Sequence, residues 1–143
     1  MKLTEHFTLE EMTATQIRGV DNTPHDEALG NLFFTATEME EVRNLLGHPI
    51  KINSAYRSPE VNKAVGGSKT SAHCQGWAVD FICPDFGLPI TVCKRLALSD
   101  LKFDQLIYEG SWVHISFDPR LRKQVLTAHF EKGKPTRYTN GLS

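Results

Sequence analysis

Three side chains, His73, Asp80 and His114, could together hold a divalent metal. Two imidazole nitrogens and one carboxylate oxygen form a zinc ligand set, and three protein ligands leave the fourth position of a tetrahedral ion open to water. Open sites of this kind are catalytic rather than structural. Zinc would lower the pKa of that water towards about 7. Glu109 could then take its proton as general base and return one to a leaving amine. A plainer reading of the same residues stays open: Asp80 paired with a Lys or Arg, His73 on the surface, and His114 structural within a strand. The cysteines, Cys74, Cys83 and Cys93, contain no C-x-x-C pair, which excludes a Cys-rich zinc knuckle. They are read as reduced, partly buried thiols.

The elements around these residues must bring them together. Residues 77–82, Trp-Ala-Val-Asp-Phe-Ile, read as a strand, and an Asp inside an apolar strand needs a partner because a lone buried carboxylate is costly to desolvate. Strand alternation puts Trp77, Val79 and Phe81 on one face and Ala78, Asp80 and Ile82 on the other, with the small Ala78 leaving room above Asp80. His73 lies on the incoming loop, seven residues upstream, where it can fold back. Residues 103–109 and 112–117 read as strands joined by a two-residue turn at Gly110-Ser111. That register sets Glu109 opposite Trp112, Ile107 opposite His114 and Gln105 opposite Ser116. Leu106, Tyr108, Val113, Ile115 and Phe117 fall on the core face. Glu109 becomes a diagonal neighbour of His114, about 7–8 Å away between Cα atoms. A slip of one residue would turn Glu109 into the core. Asp104 is the second choice for the base.

Around this core, Thr8 with Glu11 three residues on is a capping box for a short helix. Asp21-Asn22-Thr23-Pro24 is turn chemistry. Apolar residues recur at helical spacing over 26–46, and Gly47 stands at the C′ position. A strand follows at 49–53, then a loop over 54–70 around a short helix near 59–65, and a helix over 88–98. The tail from Leu121 reads as a basic, solvated segment with one strand near 125–130. Helices followed by β-hairpin patterns predict an α+β fold, with N-terminal helices packed on a small, mostly antiparallel sheet. The 143 residues suit a single domain spanning 1–143.

Sixteen Lys and Arg against seventeen Asp and Glu leave a net charge of −1, with no basic field to hold nucleic acid or an anionic membrane. No apolar run approaches the roughly 20 residues of a membrane span. Met1-Lys2-Leu3-Thr4-Glu5-His6 lacks the apolar region of a secretory signal, so synthesis in a cytoplasm is expected.

Three segments resemble the M15 family of zinc D,D-peptidases: D-alanyl-D-alanine carboxypeptidases and dipeptidases and L-alanyl-D-glutamate endolysins. Ser54-Ala55-Tyr56-Arg57-Ser58 is similar to its S-x-Y-R-S segment. Ser71-x-His73-x-x-Gly76-x-Ala78-x-Asp80 matches its S-x-H-x-x-G-x-A-x-D signature at every fixed position. Trp112-Val113-His114 resembles its closing W-x-H element. Together they span about 49–118, and the opening His6-Phe7-Thr8-Leu9-Glu10-Glu11-Met12 resembles small phage and prophage members.

The resemblance implies one zinc per chain held by His73, Asp80 and His114. It places Arg57 in the active site, against a substrate carboxylate or a developing oxyanion, and Ser71 against the substrate or the metal's surroundings. Gln75, where the motif is free, is a weaker substrate-binding candidate. Several branches carry the acidic base three residues before the last zinc His; that position here is Ser111, which leaves Glu109, five before His114. The implied activity is zinc-dependent hydrolysis of peptidoglycan stem peptides by a monomer that reaches the wall after release or delivery. The alternatives are a non-catalytic wall-binding or phage structural module that keeps the fold, and a zinc-free structural domain.

Overall fold

The computed structural model describes residues 1–142. The capping box forms: Thr8 Oγ1 accepts the Glu11 N–H, the Glu11 carboxylate accepts the Thr8 N–H, and the helix α1 runs Leu9–Met12. The periodic segment is the helix α2, Asp26–Leu46, which buries Leu32, Ala36, Met39 and Val42 and ends at Gly47 in the left-handed conformation. Two shorter helices follow, α3 over Pro59–Ala64 and α4 over Pro89–Ala97, each with proline in its first turn. Proline suits that position, because its missing N–H would have no helical partner there.

Six strands make one sheet: β1 Lys51–Ser54, β2 Ala78–Ile82, β3 Gln105–Tyr108, β4 Val113–Ser116, β5 Gln124–His129 and β6 Arg137–Asn140. Their order is β1-β2-β4-β3-β5-β6, antiparallel throughout except for the parallel pair β3 and β5. The α+β expectation therefore holds. One face of the sheet carries Val79, Phe81, Leu106, Val113 and Ile115 into the main core with α2 and α4. The other face carries Asp80, His114, Ile107, Leu126 and Ala128, the last three forming a small buried cluster of their own.

The expected strands form with ends displaced by one or two residues, and the tail beyond β5 departs most from expectation. The strand expected near 125–130 forms as β5, and beyond it β6 joins the sheet where only a solvated segment was expected. β6 escapes notice because Arg-Tyr-Thr-Asn has no apolar alternation; it is an edge strand with little to bury. The basic residues at the head of the tail are also engaged. Arg122 grips the buried Asp104 through Nε and Nη2, both at 2.8 Å, and Arg120 pairs with Asp118 at 2.9 Å. The Arg122 hydrogen bonds outweigh burial and hold the Asp104 carboxyl below its usual range. Committed to that fork, Asp104 is unsuited to serve as a base.

Cys83 and Cys93 are buried, Cys74 is half-buried, and all three are free thiols. Burial pushes Cys93 up to about 12, which makes it inert. Among the described residues no helix is long and apolar enough to cross a membrane.

Candidate metal centre and active-site cleft

The hairpin closes in the expected register. The Glu109 N–H donates to the Trp112 carbonyl at 3.1 Å across Gly110-Ser111, and Ile107 pairs with His114 and Gln105 with Ser116. Asp80 on β2 lies directly opposite His114 on β4. That pairing explains the long sequence gap between the two: antiparallel neighbours place both side chains on one face.

His73 arrives from a short 3-10 turn, Ala72–Gln75, whose first N–H groups need a cap. Ser71 Oγ supplies it, accepting the His73 N–H at 3.2 Å. The turn ends at Gly76 with φ +81°, and a Cβ there would lie 2.6 Å from the Ala28 carbonyl oxygen of α2. Thr35 and Asn31 of α2 donate to the Gly76 and Gln75 carbonyls at 2.6 and 2.7 Å. The glycine three residues after His73 thus lets the turn dock on the helix backbone, which fixes where the imidazole stands.

Two reciprocal bonds tie this turn to the segment ahead of it. His73 Nδ1 lies 2.7 Å from the Ala55 carbonyl, and the Arg57 N–H donates to the His73 carbonyl at 3.1 Å. Nδ1 must carry the proton to donate to a carbonyl, which leaves Nε2 as the ring's lone-pair nitrogen. Nε2 lies 3.3 Å from Asp80 Oδ2, and His114 Nδ1 lies 2.9 Å from Asp80 Oδ1. The ligating atoms of His73, Asp80 and His114 all fall within 4.8 Å of one another. Ligands at the 2.0–2.2 Å of tetrahedral zinc would stand about 3.3–3.6 Å apart, so the donor set fits such an ion with small side-chain adjustments.

Arg57 completes the floor. Its Nη2 donates to Asp80 Oδ2 at 3.2 Å and its Nε to Ser54 Oγ at 3.2 Å. The Asp80–Arg pair of the plainer reading is therefore present, and it coexists with the histidine cluster. Burial acts to raise the Asp80 pKa, but His73 and His114 outweigh it and hold the carboxyl ionised, well below the usual range. Burial keeps His73 neutral, as a ligand must be. For His114, desolvation is outweighed by the Asp80 hydrogen bond and charge, and its pKa rises.

Glu109 lies in the same cleft, half-buried, and Trp112 Nε1–H donates to its Oε2 at 2.5 Å. Burial pushes its carboxyl above the ordinary range, with the Asp80 charge adding to this and His114 opposing it. Ser111 is exposed in the hairpin turn itself, outside both strands. The cleft, of ≈ 700 Å³, also takes in Ser71 and Gln75 at one side and Leu126, Phe130 and Tyr138 at the other.

Sequence reasoning missed three contributors. The Ala55 carbonyl orients His73, yet a backbone acceptor leaves no trace in residue type. Asn22, read only as part of a turn, donates to the Thr13 and Tyr56 carbonyls at 2.8 and 3.1 Å and accepts the Ser58 N–H at 2.7 Å, clamping the Arg57 segment. Trp112 anchors Glu109; that contact could have been found, since the two face each other in the hairpin.

An α+β chain that gathers two histidines and an aspartate over one sheet face, beside a half-buried glutamate in an open cleft, has the makings of a metal-dependent hydrolase. The family model described as Peptidase M15 matches residues 5–116, and the chain belongs to that family. Comparison with curated proteins finds no significant match.

Proposed function

We propose that this chain is a zinc-dependent peptidase that hydrolyses peptidoglycan stem peptides, either as a D-alanyl-D-alanine carboxypeptidase or as an L-alanyl-D-glutamate endopeptidase. The observation that carries this reading is the His73, Asp80 and His114 group beside Glu109. When bound there, zinc supplies Lewis acidity that acidifies water and polarises a peptide carbonyl. The chain's own residues do the rest. Glu109, held by Trp112, takes the proton of the attacking water and delivers one to the departing amine. Burial raises its pKa above that of an ordinary carboxylate, the direction that helps it hold a proton for the departing amine. Arg57, fixed against Asp80 and Ser54, offers its remaining N–H groups to a substrate carboxylate or to the oxyanion. Ser71 and Gln75 line the path the peptide takes.

The working unit is residues 1–143 as one domain, since β5 and β6 complete the sheet beyond the matched segment. It acts on the wall after release or delivery. The test is incubation of the full chain with a synthetic stem peptide that contains both the L-Ala-D-Glu and the D-Ala-D-Ala bond, with products read by mass spectrometry. Cleavage of one bond, stopped by chelator and restored by zinc, is the expected result. An intact peptide in the presence of added zinc would contradict the reading and leave a binding module in its place.

A further inference from the structure

The matched family segment ends at Ser116, but the cleft does not. Its far wall comes from β5, β6 and the residue after β5: Leu126, Phe130 and Tyr138 all line it. Strand pairing shows how they get there. Leu126 pairs with Ile107, which pairs with His114, which pairs with Asp80, so these four share a face of the sheet. Continuing the β3–β5 register one residue past Tyr108 and Thr127 sets Glu109 in line with Ala128, on that same face, and Ala128 pairs with Tyr138. The row therefore runs Trp112, Glu109, Ala128, Tyr138.

Strands lie ~4.8 Å apart, so Tyr138 stands two spacings, about 10 Å, from Glu109 at the backbone. The residue between them in the row is alanine, which puts no more than a methyl group between the tyrosine and the glutamate. Tyr138 is itself half-exposed on an edge strand whose neighbours Arg137 and Asn140 are exposed. Its ring has little packing to do. Phe130 is equally open and faces Trp112, with ring centroids 6.4 Å apart.

We propose that Tyr138 is a substrate-binding residue of this cleft, its phenol donating a hydrogen bond to a peptide carbonyl of the bound stem peptide while Phe130 and Trp112 pack against the peptide's small side chains. This rests on the peptidase reading above and names the group that grips the substrate on the side opposite Arg57. Partial burial, together with the negative charges of Glu109 and Asp80, raises the phenol's pKa, so the hydroxyl stays protonated as a donor. The wall is otherwise apolar there, and a single donor on an aromatic surface fits an extended peptide backbone with short side chains.

The test uses the full-length, zinc-loaded chain and the synthetic stem peptide. Tyr138→Phe keeps the ring and removes the donor; it should raise KM about three- to tenfold with kcat changed less, as loss of one substrate hydrogen bond implies. Tyr138→Ala should raise KM about tenfold or more, since the ring contact goes too. Calorimetric binding of the same peptide to Glu109→Gln, with and without Tyr138→Phe, should show the same weakening, while the melting temperature stays at the parent value. If the parent cleaves the peptide but both Tyr138 variants keep its KM and affinity, this inference is overturned and the peptidase reading stands. A loss that tracks a fall in melting temperature would mark Tyr138 as structural and also overturn it. A parent that cleaves nothing would overturn the peptidase reading, and this inference with it.

Discussion

Glu109→Gln is expected to lower kcat on a stem peptide by about 10²–10⁴-fold, the usual worth of a positioned general base, while zinc stays bound. Glutamine has the same shape, and its amide oxygen can still accept the Trp112 Nε1–H that now holds Oε2. Nothing in the hairpin has to move. Stability should be unchanged or slightly higher, because the variant removes a carboxylate that burial already disfavours in its charged form. The same substitution at Asp104 would be a poor comparison, since it would break the Arg122 fork and act on stability instead. Steady-state kinetics beside a metal count on the same preparation decides the matter. Parent-level turnover in Glu109→Gln would remove the glutamate from the mechanism.

Gly76→Ala carries the largest expected effect on stability and reaches the metal site indirectly. The new methyl meets the Ala28 carbonyl oxygen at 2.6 Å, a backbone atom inside a long helix that cannot swing away, and the φ of +81° is strained for any L side chain. Strain and overpacking together cost about 2–5 kcal/mol. For a chain of this size that is a fall of roughly 5–15 °C in melting temperature. Relief requires the 3-10 turn to lift off α2, and His73 moves with it, so zinc affinity should fall as well. Gly110→Ala is the control. Its φ is similar at +79°, but a Cβ there meets nothing within 4 Å, so only the backbone strain, about 1–2 kcal/mol, is lost. Thermal melts of the two variants with equal losses would refute the docking role of Gly76.

The parts that were readable in the sequence are those set by local pattern. The α2 periodicity, the Thr8 box and the two-residue hairpin each depend on neighbours a few residues away, and the hairpin register placed Glu109, Trp112 and His114 on one face without any tertiary information. Asp80 announced itself as a carboxylate in an apolar strand. What stayed hidden was carried by atoms or partners with no local signature. The Ala55 carbonyl and the Ala28 carbonyl are backbone groups, and only the fold reveals that one orients His73 and the other forbids a side chain at residue 76. The parallel pairing of β5 with β3 joins residues about twenty apart through a polar connection. A polar edge strand such as β6 lacks the apolar alternation by which strands are read. The choice between an Asp–Arg ion pair and a metal ligand was also undecidable from residue type, because Asp80 serves Arg57 and both histidines at once.

The claim on which everything else depends is that His73, Asp80 and His114 bind a metal. The most direct test is zinc per chain, measured by mass spectrometry on protein purified without chelator, with His114→Ala prepared in parallel. Close to one zinc is expected in the parent and little in the variant. No zinc in the parent, even after incubation with an excess of the metal, would contradict it.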